Sequence, residues 1–304
     1  MRMLSRSAGF FGSVCLLWAF AGTAQATLNV FACEPEWAAL AKELGGNRLE
    51  IYSATTAKQD PHHIQARPSL IARTRKADLL VCTGADLEVG WLPLLLRRAG
   101  NARIQPGQPG HFLAAQHVDM LEVPEKLDRS LGDIHASGNP HIHTDPRNML
   151  RIASHLSRRL QTVDPDHADS YRQRYNQFET EWRKAISRWN QRALPVAEAK
   201  VVVHHDFWSY LINWLDLSKI ATLEPVPGVS PSSRHLAQVK QLLEQQPAVM
   251  VINTGYMNDR PVNWLSEQMN IPVVTLPATV DFQGGESLYQ WFDNLVALLL
   301  EAVK

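Results

Sequence analysis

From Leu28 onward, short runs of β-branched and aliphatic residues alternate with longer stretches in which apolar positions recur every three or four residues. Buried strands exchanging with amphipathic helices produce this pattern. Residues 28–33 read as a first strand, 36–44 as a helix stopped by Gly45-Gly46, and 48–54 as a second strand. A helix over 68–76, a strand over 78–82 and a helix over 91–99 follow, then a Pro/Gly-rich surface loop at 105–110 and a candidate fourth strand at 117–123. Alternation of this kind builds a parallel sheet with crossover helices.

The pattern then changes. Residues 128–140 are polar and contain glycine, which reads as a mobile loop carrying His135. Asp145-Pro146 supplies an N-cap and a first-turn proline for a helix to about Gln161, and after Asp164-Pro165 a second helix runs without Gly or Pro to about Ala193. A helix of that length is about 40 Å long, enough to run the height of two stacked lobes. Beyond Pro195 the alternation resumes, with strands over 200–203, 220–224, 248–253 and 272–276 and helices over 207–215, 232–245, 261–269 and 287–303. The expected fold class is therefore α/β. Two lobes, 27–165 and 194–304, each a parallel sheet flanked by helices, are joined by one long rigid helix over 166–193.

Ahead of the first strand, Arg2 and Arg6 precede an apolar run over 8–21 that ends in Ala24-Gln25-Ala26, the layout of a cleaved export signal over 1–26. The run is shorter than the roughly 20 residues of a spanning helix. Cys15 lies mid-run without the small-residue context of a lipid-attachment site, so a free, soluble, periplasmic monomer is expected. Removal of the signal leaves Cys33 and Cys82 at the ends of two strands expected to be neighbours. In an oxidising compartment they pair as a disulfide; the alternative is two buried thiols behaving as small hydrophobes.

Lys plus Arg and Asp plus Glu both number 30, so the formal net charge is zero. With no basic face, nucleic acid and acidic membrane surfaces are poor partners. The unusual count is 12 histidines, several in adjacent or alternate pairs. His62-His63, His141-Ile142-His143, His204-His205 and the loop bearing Asp281 each fall after a predicted strand, where open α/β sheets gather ligands. A single histidine in such a loop is ordinarily solvated, and an Asp-Pro before a helix is ordinarily a cap. The joint occurrence is what points to a cation: three imidazoles and one carboxylate, two donors from each lobe, suit four-coordinate zinc. Manganese or calcium shells call for more carboxylate oxygens than these loops offer.

Asp60-Pro61-His62 with Pro68-Ser69 and Ala77-Asp78-Leu79, Asn139-Pro140-His141 with Asp145-Pro146-Arg147-Asn148, His205-Asp206 with Tyr210, and Glu224-Pro225 with Gly228 and Pro231-Ser232 occur in that order. Together they resemble the zinc- and manganese-binding periplasmic solute-binding proteins of ABC importers. That resemblance implies a metal between two α/β lobes, ligands at His62, His141, His205 and Asp281, and Zn2+ as transported ligand rather than resident cofactor. It also implies a partner permease in the inner membrane and no enzymatic activity. Histidine at position 205, where manganese-type members more often place Glu, points to zinc. Manganese capture, metal-dependent adhesion and a zinc hydrolase are the alternatives, the last without any His-Glu-x-x-His helix in the chain.

Overall fold

The computed structural model describes residues 27–125 and 135–304. The expected signal at 1–26 and residues 128–134 of the expected mobile loop lie outside the described residues. The first sheet holds β1 (Leu28–Ala32), β2 (Leu49–Ser53), β3 (Leu79–Cys82) and β4 (His111–Leu113), all parallel, in the order β2-β1-β3-β4. The second repeats it with β5 (Lys200–Val203), β6 (Ser218–Thr222), β7 (Met250–Thr254) and β8 (Val273–Leu276) in the order β6-β5-β7-β8. β3 and β7 are buried at every position, because helices cover both faces of a parallel sheet; the two polar residues that end β7, Asn253 and Thr254, are hydrogen-bonded to His204 and Trp208.

Two boundaries differ from expectation for physical reasons. The fourth strand is His111–Leu113, not 117–123. It is a short edge strand that Pro106, Pro109 and Gly110 disguise as loop, whereas the Leu121 N–H is donated to the Tyr210 hydroxyl across the lobe interface, outside any strand ladder. The sixth strand begins at Ser218, because Ser218 and Lys219 are exposed and break the apolar run.

Helices α4 (Pro146–Val163) and α5 (Ala168–Ala193) connect the lobes. The 26 residues of α5 span about 39 Å, and its buried face carries Tyr171, Phe178, Trp182, Ala185, Trp189 and Ala193 at helical spacing. Trp182 and Trp189 lie 5.2 Å apart between centroids, and Trp189 lies 5.1 Å from Phe292 on α9 (Leu288–Glu301). Through them one apolar core runs continuously from Val30 and Val81 of the first sheet to Val203 and Ile252 of the second. Each buried indole N–H has a partner, for example Trp182 to the Pro146 carbonyl and Trp291 to that of Pro277, so no donor is stranded. Separate clusters around Phe31 and Leu80, and around Val202 and Val251, fill the outer faces. Position between the lobes is thus set by packed aromatics rather than by a flexible linker. Cys33 and Cys82 are bonded, closing a separation of 49 residues. Among the described residues no helix is long and apolar enough to cross a membrane.

Candidate metal centre

The loop after β2 carries Asp60 and His62. Asp60 Oδ1 accepts both the His62 backbone N–H, at 3.0 Å, and its ring Nδ1–H, at 2.7 Å. A carboxylate only accepts, so the contact fixes the proton on Nδ1 and leaves the Nε2 lone pair directed outward. The loop itself is held from below, where Trp91 Nε1–H donates to the Pro61 carbonyl at 2.9 Å. From the other lobe the chain leaving β5 repeats the device: His205 Nδ1–H donates at 2.7 Å to Glu224 Oε2. That oxygen also accepts the Gly228 N–H at 2.9 Å.

His141 lies between them, with ring centroids 5.8 Å from His62 and 5.8 Å from His205. Asn139 sets its loop by accepting the His141 N–H on Oδ1, while its amide donates to the Asp206 carbonyl of the second lobe and to Glu122. Phe207 stacks on the His141 ring at 3.9 Å. The residue is 1% exposed, and both ring nitrogens are buried without a hydrogen-bond partner. Leaving such groups unsatisfied costs about 1–3 kcal/mol each. Burial, and after it the neighbouring imidazoles of His205 and His62, push its pKa well below the ordinary histidine value. The result is a neutral imidazole with one ring-nitrogen lone pair free, which is what a metal requires of a ligand.

A fourth imidazole enters from the 135–140 segment. His135 Nε2 stands 3.1 Å from His62 Nε2, with the ring centroids 5.2 Å apart. His135, His141, His205, Glu122 and Asp206 line a cleft of about 470 Å³ open to solvent. Two imidazoles on one tetrahedral zinc have centroids about 5 Å apart, so rings at 5.8 Å need to draw in by less than an ångström each. Among the described residues, the donor atoms that already lie within 4.8 Å of one another belong to Cys33, Cys82 and Glu88 instead. There the sulfurs are joined to each other.

Of the residues singled out from sequence, the structure brings His62, His141 and His205 together. Asp281 differs from them in its contacts. That carboxylate is exposed, accepts the Gly284 N–H at 3.0 Å within its own loop, and makes no hydrogen bond or ion pair to the imidazoles. His63 is largely exposed. His143 and His204 are buried supports: His143 Nε2–H donates to the Ala278 carbonyl at 3.0 Å, and His204 Nδ1 pairs with Asn253 Oδ1 at 2.9 Å. Glu36 lies 3.3 Å from His143 Nδ1 and accepts the Thr279 hydroxyl, which ties the first helix to the second lobe behind the cleft. Sequence reasoning missed the carboxylate partners. Asp60, two residues from His62, was legible as a local pair, while Glu224 is 19 residues from His205 and meets it only through the sheet.

Two lobes of the same strand order, packed on one long helix around a cleft lined with imidazoles, define a metal-binding substrate-binding protein of an ABC importer. Over residues 30–302 the sequence matches the family model described as zinc-uptake complex component A, periplasmic (ZnuA), and the chain belongs to that family. Its relatives are substrate-binding proteins and not enzymes. It is 22% identical over 277 residues to the metal ABC transporter substrate-binding lipoprotein SloC of Streptococcus mutans, covering 88% of this chain and 87% of that one. With the manganese ABC transporter substrate-binding lipoprotein PsaA of Streptococcus mitis it shares 20% over 251 residues, 81% of this chain and 78% of that one. In fold it is similar to the crystal structure of ZnuA, with TM-score 0.75 and 22% identity over 91% of this chain and 98% of that one.

Proposed function

We propose that this protein captures zinc in the periplasm and delivers it to the permease of an ABC importer. Supporting this is His141, buried between His62 and His205 with neither ring nitrogen hydrogen-bonded, since a cation is the partner that would relieve it. Carboxylates on Nδ1 of both flanking rings strengthen their Nε2 atoms as donors. His62, His141 and His205 hold the ion. For the fourth position the donors are His135, already against His62, and Asp281, whose carboxylate now accepts the Gly284 N–H.

Three imidazole donors favour zinc over manganese, which prefers carboxylate oxygen. Relatives named for manganese make the metal the sharpest point to test. Metal-free protein titrated with each ion against a chromophoric chelator should take up one zinc per chain, with manganese orders of magnitude weaker. Equal affinity for the two would overturn the zinc assignment and leave manganese capture. His135→Ala and Asp281→Ala, measured side by side, identify the fourth donor by which of them weakens zinc more.

A further inference from the structure

At the carboxyl ends of β1 and β3, outside the histidine cleft, Cys33 and Cys82 are joined and fully buried. Both sulfurs and a carboxylate oxygen of Glu88 lie within 4.8 Å of one another. Glu88 is itself 2% exposed, and its carboxylate is aimed by backbone N–H groups, Thr83 at 2.7 Å and Gly84 at 3.0 Å. Beside it stands a second buried carboxylate, Glu34, whose Oε2 accepts from Thr83 while Oε1 has no hydrogen-bond donor. Burial raises both carboxyls, Glu88 to about 7, so two acids facing each other share protons there. Glu88 also helps to line a groove of about 430 Å³ at the surface.

We propose that, when the disulfide is reduced, Cys33, Cys82 and Glu88 form a second site, for one thiophilic divalent cation of the zinc or cadmium kind. A dithiol reductant supplies two electrons and two protons to the sulfur–sulfur bond and is itself oxidised to a disulfide. The entering ion then displaces both thiol protons to solvent as two metal–sulfur bonds form. Zinc with sulfur at about 2.3 Å and carboxylate oxygen at about 2.0 Å needs donors about 3.5–3.8 Å apart, so on reduction the two sulfurs part from bonding distance while the Glu88 oxygen, already within 4.8 Å of both, draws in. Two thiolates and a carboxylate buried together are untenable without a cation, and a dication offsets them. Bonded sulfurs have no lone charge to offer, so the disulfide and the ion exclude each other. The histidine cleft plays no part in this.

Cadmium titration of the exported chain, with and without anaerobic phosphine reduction, tests it through the ultraviolet thiolate-to-cadmium charge-transfer band. Reduced protein should bind one more equivalent than oxidised protein and show the band. Reduced His141→Ala should keep the band; Cys33→Ser and Cys82→Ser should lose it, and Glu88→Gln should weaken it. Should reduction loosen the lobe, cadmium must restore the near-ultraviolet circular dichroism of the oxidised form. A reduced protein with no band, a band that survives Cys33→Ser, or a loosened lobe that cadmium fails to restore overturns the site. Loss of cleft binding with the band intact would instead count against the histidine centre alone.

Discussion

Glu224 is the residue through which the cleft's electrostatics can be measured without removing a ligand. Its Oε2 lies 2.7 Å from His205 Nδ1 in a largely buried pair. A hydrogen bond to a charged group contributes about 1.5–3 kcal/mol, roughly twice a neutral one. Glu224→Gln keeps an acceptor and loses the charge, so it should cost about 1–1.5 kcal/mol of metal binding, close to tenfold in Kd. Glu224→Ala loses both and should approach hundredfold, the upper end for partners of metal-bound histidines. Competition against a fluorescent zinc chelator gives the Kd values, and melting of the metal-free variants separates fold from affinity. The decisive comparison is a double-mutant cycle with His205→Ala. If Glu224 acts by orienting and charging that imidazole, its substitution should change nothing further once the ring is gone. An equal loss in both backgrounds would refute the coupling.

Other outcomes follow from the same structure. Closing a 49-residue separation removes chain entropy worth about 4 kcal/mol from the unfolded state, so Cys33→Ala/Cys82→Ala should lose several kcal/mol in denaturant unfolding; a loss under about 1 kcal/mol contradicts this. Asn139→Ala unties the His141 loop from Asp206 and should weaken zinc binding while retaining a cooperative melt; unchanged affinity would show that the tie is not needed. Metal-free stability should carry two opposed pH dependences in the same range. Burial, with His155 next, pushes His117 down to about 4, so the unfolded chain, titrating near 6.5, binds more protons between those values and stability falls as pH drops through that window. Glu88, raised by burial to about 7, acts oppositely: its contribution is full below the unfolded carboxyl value and is lost as pH rises through 7. Across about pH 4–7 the two slopes therefore oppose each other: melting temperature should fall more steeply with rising pH in His117→Gln and rise more steeply in Glu88→Gln than in the parent, and superimposable profiles would count against both.

Much of this architecture was legible because the local pattern and the tertiary demand agree. Strands buried on both faces are apolar over most of their length, as 79–82 and 250–252 are, and the uninterrupted helix Ala168–Ala193 carries its aromatic stripe at helical spacing. The fourth strand was hidden because three residues at a sheet edge leave no period to detect. For the site, Asp60 and His62, two residues apart, could be read locally, but the approach of His135 to His62, across 73 residues, and the grip of Glu224 on His205 depend on how loops settle over the sheets. Asp281 fits a ligand by residue type and by its place after a strand, yet the turn at Gly284 draws its carboxylate back onto its own backbone. Loop conformation leaves no periodic mark in a sequence, which is why the donors were easier to name than to place.

The central claim, that imidazoles from two lobes share one cation, is tested most directly by anomalous diffraction from crystals grown with zinc. A single peak should lie about 2.0–2.1 Å from a ring nitrogen of each of His62, His141 and His205. Zinc bound elsewhere, with the His141 nitrogens still unpartnered, would contradict it.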